Sequence, residues 1–172
     1  MTSAKLLLVY ILQTTDVSGL SIDATQIDTE QAYCLAKNIY YESRNEDIRG
    51  QIAVASVTLN RVRDPRFPKT ICEVVKFSLP NKITKQPVCA FSWYCEADKK
   101  ENAIIIKNDR MKEQFETASK IAIEIIAGSI KDNTDGSTHF HNPYTSKPAW
   151  RFEMKKTVSI GNHTFYRMPN SK

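Results

Sequence analysis

The sequence predicts an α+β domain with a helical N-terminal part and a small antiparallel sheet toward the C-terminus. Three observations carry this. Apolar residues recur at helical spacing over 29–43 and 45–62, they do so again over 109–127, and side chains alternate over 138–142 and around a Gly161-Asn162 turn. A chain of 172 residues holds one domain with a real core and is too short for two of ordinary size. Its hydrophobic content of 41% and charged content of 25% are those of a globular protein, without internal repeats or low-complexity segments.

The chain begins with Lys5 ahead of an apolar run, Leu6 to Leu12, which is too short to span a bilayer, so no stable membrane span is expected. Two readings stay open. The run is a secretory signal or anchor with small residues Val17-Ser18-Gly19 as its cleavage site, or it is a buried helix or strand packed on the domain. Residues 1–28 are accordingly set apart from a single domain over 29–172.

The first helix of that domain starts at Asp28 or Thr29, where a capping side chain precedes Glu30 and an apolar series of Ala32, Leu35, Ala36, Ile39 and Tyr40. It ends near Ser43. A second helix is predicted with Asn45 as N-cap, Glu46 and Asp47 in its first turn, and a core stripe of Ile48, Ile52, Ala55, Leu59 and Val62. At about 100° per residue, Glu42 falls at the edge of the first helix's buried stripe. Partial burial and the negative end of the helix dipole both favour its protonated form, as a general acid requires, although a solvated glutamate at a frayed helix end has the same sequence signature.

After a proline-punctuated loop from Arg63 to Pro68, Thr70 and Glu73 stand at capping-box spacing for a short helix to Val75. From Phe77 to Lys107 periodicity is lost around Pro80 and Pro87, which predicts an irregular binding loop. A long amphipathic helix then runs from Asp109 to Ala127, with Met111, Phe115, Ala118, Ala122 and Ile125 inward and Gly128 ending it. Thr138 to Asn142 reads as a strand, and Lys156–Ile160 pairs with His163–Arg167 across Gly161-Asn162.

Four cysteines, Cys34, Cys72, Cys89 and Cys95, form no CxxC pair. They are either four buried thiols or two bridges, Cys89 to Cys95 around Phe91, Ser92 and Trp93, and Cys34 to Cys72. The formal charge of +5 suits an acidic or surface-bound partner. Basic residues are scattered without interleaved aromatics, so nucleic acid is not the expected partner. His139 and His141 share one strand face with His163 nearby in the chain. Three histidines could hold zinc, but the spacing is not a zinc signature, and neither metal nor cofactor is expected. No GxSxG elbow and no Cys-His pairing points to a nucleophilic enzyme.

The run from Ala36 to Glu46, then Gly50 to Ala55, Leu59-Asn60-Arg61-Val62, Phe67-Pro68, Ile71 to Val75, Phe91-Ser92-Trp93, Thr138 to Pro143 and Ile160 to Tyr166 resembles, in order, the cell wall hydrolase family of spore cortex-lytic enzymes, a domain that phage endolysins also carry. The resemblance implies a small lysozyme-like α+β domain that cuts the glycan strand of peptidoglycan at the MurNAc-GlcNAc bond. It puts the catalytic glutamate on Glu42 as general acid and base, with Tyr41 and Ser92 as positioning groups. Glu46, Phe91, Trp93, His139, Phe140, Asn142 and Trp150 would bind substrate, with aromatic rings available to stack on sugar faces. Ser43 and Asn45 depart from the family's small or glycine residues and alter the turn beside the acid.

One carboxylate suffices for a lytic transglycosylase, which forms a 1,6-anhydro-MurNAc end, whereas a hydrolase needs a second. Glu46 is the nearest, followed by Glu73, Glu96 and Asp98. The alternatives are a zinc-dependent N-acetylmuramoyl-L-alanine amidase and a peptidoglycan-binding module without activity. The expected protein is a monomer acting on the wall, in a periplasmic or extracellular setting, or released to the wall from the host cytoplasm if phage-encoded.

Overall fold

The computed structural model describes residues 2–14, 26–96 and 104–169, and within them helices precede a small C-terminal sheet. The α+β expectation holds. Strand β1 (Thr2–Ser3) leads into α1 (Ala4–Thr14), whose Ala4, Leu7, Leu8 and Ile11 are buried. The apolar run is therefore a packed helix here, lying against the long helix α5 (Asp109–Ile126). No described helix is long and apolar enough to cross a membrane. Val17-Ser18-Gly19 and Asp98 lie outside the described residues.

Helix α2 (Thr29–Ser43) forms as its cap and periodicity require. Asp28 accepts hydrogen bonds from the backbone N–H groups of Glu30 (2.8 Å) and Gln31 (3.2 Å), and Ala32, Leu35, Ala36 and Ile39 are fully buried. Helix α3 (Ile48–Arg63) corrects two expectations. Its N-cap is Asp47, which accepts from Gly50 N–H at 2.7 Å, so Asn45 and Glu46 belong to the preceding turn. Ile48 is 59% exposed, because the buried stripe of α3 is set by Ala53, Val54, Ala55, Val57 and Leu59. Asn38, fully buried, ties three elements together: its amide donates to Thr58 Oγ1 on α3 (3.1 Å), and its carbonyl accepts from Trp93 Nε1 (2.8 Å).

Helix α4 (Ile71–Lys76) has the Thr70–Glu73 capping box and is tied to α2 by the Cys34–Cys72 disulfide. The stretch expected to be irregular contains a hairpin, β2 (Ser78–Pro80) with β3 (Pro87–Cys89), followed by a 3-10 turn at Ser92–Cys95. Exposed strand edges ending in prolines leave too short a ladder for its period to be seen in sequence. Cys89–Cys95 bridges the hairpin to that turn, so the cysteines are two disulfides. Strand β4 (Ile105–Ile106) pairs with β1, and α5 follows with Phe115, Ala118 and Ala122 buried as expected.

The C-terminal sheet has the order β5-β7-β6, from β5 (His139–His141), β6 (Lys155–Ile160) and β7 (His163–Arg167). Gly161 turns the β6–β7 hairpin at φ +56°. The sheet packs on α3 through a small second core of Ala53, Val57, Ile160 and Phe165. The loop before β5 is fastened to the end of α3 through Asp132, which accepts from Thr134 N–H (2.7 Å), Gly136 N–H (2.8 Å) and the Asn60 amide (3.0 Å).

Candidate active site

Between the C-terminal end of α2 and the sheet lies a groove of about 410 Å³. Glu42 projects into it from the last turn of α2 and is half-buried. Opposite stand His139, Phe140 and Asn142 from β5 and its exit, with Trp150 on a 3-10 turn (Ala149–Phe152). Phe91 and Ser92 line the floor and near edge.

Seven of the sequence-predicted residues thus share one cavity, and three do not line it. Trp93 is 4% exposed and faces the core, with Tyr41 stacked on it at a centroid distance of 4.7 Å. Glu46 lies elsewhere than predicted. Its carboxylate accepts from the Asn162 backbone N–H (3.0 Å) and side-chain amide (2.9 Å), so it clasps the β6–β7 turn from the residue before the α3 cap. The first-turn role read from sequence fails because the helix starts later.

Two more groove residues stood outside the substrate-binding set expected from sequence. Arg61, 5% exposed on α3, donates from Nε to the Thr138 carbonyl at 2.7 Å and lays its guanidinium 4.8 Å from the Phe91 ring centre. Burial pulls its pKa down to about 10, against the negative charge of Glu42, so it is cationic at neutral pH. The sequence reading weighed only burial and the helix dipole at Glu42. A cation acts in the opposite sense, favouring the carboxylate. Its signal was the Leu59-Asn60-Arg61-Val62 block, in which a polar pair stands between two apolar positions at the helix end.

The second is His163, which lines the groove at 9% exposure. Among the described residues its Nδ1 is buried without a hydrogen-bond partner. A buried N–H without an acceptor is costlier than a bare ring nitrogen, so the neutral ring carries its proton on Nε2. Burial lowers its pKa, with Glu46 opposing.

The other two histidines are hydrogen-bonding rings. His139 is pushed down to about 4 by burial and then by the charges of Arg61 and Arg66, with Asp64 opposing. It packs against Trp150 at 5.2 Å. His141 Nδ1 lies 3.0 Å from the Ser146 carbonyl and must donate to it, and Nε2 lies within hydrogen-bond distance, 3.1 Å, of the Tyr166 hydroxyl. Among the described residues no three His, Cys, Asp or Glu side chains are grouped to hold a metal ion.

The Cell Wall Hydrolase family model matches residues 45–166. Among curated proteins, spore cortex-lytic enzymes are similar. One from Halalkalibacterium halodurans is 29% identical over 131 residues, covering 76% of this chain and 33% of its own length. Another from Bacillus cereus is 30% identical, covering 76% of this chain and 42% of its own length. The chain thus spans about a third to two-fifths of the length of these relatives. Among solved structures, the catalytic domain of the germination-specific lytic transglycosylase SleB from Bacillus anthracis superposes with a TM-score of 0.60 at 26% identity, covering 83% of this chain and 98% of that one. The catalytic domain of Bacillus cereus SleB gives 0.56 at 29% identity, covering 83% and 94%.

Proposed function

The chain belongs to the cell wall hydrolase family, and from that premise we propose that it is a peptidoglycan lytic transglycosylase with Glu42 as its one acid and base. The observation that carries the reading is that, among the described residues, Glu42 is the single carboxylate lining the groove.

A protonated Glu42 gives its proton to the oxygen linking MurNAc to GlcNAc as the C1–O bond breaks and positive charge spreads over C1 and the ring oxygen. The MurNAc O6 then bonds to C1 and loses its proton to the same carboxylate, which closes the 1,6-anhydro ring and restores the acid. Arg61 steadies the carboxylate between the two transfers, when Glu42 carries negative charge. Trp150 and Phe140 offer ring faces to the sugars. Asn142, Ser92 and the His163 Nε2–H offer hydrogen bonds to hydroxyl and acetamido groups.

Glu46 supports this reading from outside the groove, since its engagement with Asn162 leaves, among the described residues, no second carboxylate at the groove to activate water as an inverting or retaining hydrolase would. Tyr41 acts through Trp93, keeping the floor in place. The protein works at the wall, where an oxidising setting sustains both disulfides.

Digestion of purified peptidoglycan followed by mass spectrometry tests the reading. Anhydro-muramyl ends are expected, and Glu42→Gln should lower their yield by roughly 10²- to 10⁴-fold with an unchanged melting temperature. Reducing ends would mean hydrolysis, free stem peptides sensitive to chelator would mean an amidase, and unchanged wall binding without any lysis in the wild type would mean a binding module.

A further inference from the structure

A second cavity of about 500 Å³ adjoins the groove. The two share Arg61, Cys89, Ala90, His139 and Trp150, so they lie on either side of one partition. The walls peculiar to the second include Phe77, Leu79 and Val88 around the β2–β3 hairpin, with Phe67 and Arg66 after α3 and Met154 and Met168 from the C-terminal segment. Leu79 and Val88 face each other across the hairpin ladder and are 58% and 55% exposed. An uncovered cross-strand pair of aliphatic side chains beside a groove is a surface that gains by being covered.

The two cavities differ in chemistry. The groove offers Asn142, Ser92, Thr145 and Ser146 beside its rings, which suits hydroxyl-rich sugars. Among the described residues, the second cavity is lined by no carboxylate, amide or hydroxyl side chain, and its polar groups are Arg61, Arg66 and His139. A sugar placed there would leave most of its hydroxyls unmatched. Arg66 is held at the rim by Asp64, with Nε 2.8 Å from the carboxylate, and its Nη1 donates to the Pro169 carbonyl at 3.0 Å. Its charge is therefore shared and apolar contact carries most of the recognition.

Peptidoglycan has only two parts, the glycan and the lactyl-peptide stem on each MurNAc. The stem carries methyl groups and carboxylates and leaves the very sugar whose C1 would react in the groove. We infer that the cavity walled by Leu79, Val88, Met154 and Met168 is a subsite for the peptide stem of the MurNAc being cleaved, so that the protein favours stem-bearing over stem-stripped glycan. The inference rests on the glycosidase reading for which sugar sits beside the partition, and its test is separable from that reading.

The full chain carrying Glu42→Gln, with labelled Leu, Val and Met methyl groups, is titrated with a disaccharide tetrapeptide and with the same disaccharide after removal of its stem. The stem-bearing probe should shift the methyl resonances of Leu79, Val88, Met154 and Met168 and bind several-fold more tightly. Leu79→Ser, at an exposed position, should narrow the difference between the two probes. Silent methyls, or equal shifts with both probes, overturn the subsite. A wild-type digest reports separately on the chemistry: methyl shifts without glycan cleavage uphold the subsite and sink the glycosidase, whereas anhydro products with silent methyls do the reverse.

Discussion

The two walls of the groove are held by different forces. Glu42 stands on the helical wall, where Leu35, Ile39, Val54 and Val57 are fully buried and the Cys34–Cys72 disulfide ties α2 to α4. The facing wall is a three-residue strand in which His141 alone is buried, a loop, and a 3-10 turn that has no buried residue. Apart from the Phe140 ring, which packs on Phe91 and Phe165, polar contacts hold it, among them His141 between Ser146 and Tyr166, Asn142 accepting from Tyr144 N–H (2.9 Å), and Arg151 donating to the Lys147 carbonyl (2.7 Å). Packed apolar helices fix a reacting group within a fraction of an ångström, while hydrogen-bonded turns yield more readily to a polymer. The difference assigns chemistry to the stiff wall and recognition to the pliant one.

The sharpest way to break that contrast is through the disulfides, which close loops of very different length. The Cys34–Cys72 bridge spans 38 residues and the Cys89–Cys95 bridge six. By loop entropy, replacing the first pair with alanines should cost about 4 kcal/mol of unfolding free energy and the second about 2 kcal/mol, read from urea denaturation. The reverse order would mean that loop entropy is not what sets the contribution of the two bridges, and that the short one braces the native hairpin instead.

Next comes Arg61, which joins the walls by running from α3 to the Thr138 carbonyl. Arg61→Met should destabilise by about 3 kcal/mol, since it removes a charged hydrogen bond and orphans a buried acceptor. His141→Phe is a smaller change, about 1 to 2 kcal/mol. Because it loosens only the recognising wall, it should raise KM more than it lowers kcat in wall-digestion assays.

A further effect is one of pH. His139 titrates near 4 when folded, against 6.5 as an unperturbed side chain, so the unfolded chain binds the proton first as pH falls. Its stabilising contribution is complete above pH 6.5 and is lost progressively toward pH 4, and His163 acts in the same direction. The urea midpoint should therefore fall across that window, and His139→Phe should flatten the slope. An unchanged slope would show that the ring is exposed to solvent in the native state.

Local signals carried far in this chain, and they failed where partners are distant in sequence. The Asp28 cap, the Thr70–Glu73 box, the α5 stripe and the Gly161-Asn162 turn are written in neighbouring residues and appear as read. Helical phase placed Glu42 at the edge of the buried face of α2, but its expected role as the acid rested on the family resemblance, since a solvated helix-end glutamate has the same local signature. Trp93 was misplaced in the groove because its partner Asn38 lies 55 residues away, and nothing nearby marks the ring as core. Arg61 and Glu46 were missed or misassigned for the same reason: their partners, Thr138 and Asn162, become neighbours only once the sheet folds onto α3.

The clasp of Glu46 on the β6–β7 turn decides where foreign sequence can be grafted onto this protein. A side chain at Gly161 would collide with the Glu46 carboxylate, and the backbone there already has positive φ, so that turn tolerates neither bulk nor insertion. The tip of the β2–β3 hairpin is the opposite case, with Lys82 to Gln86 exposed and the turn organised locally by Asn81. Reporters or affinity handles belong at that tip, and the C-terminal hairpin should be left as it stands.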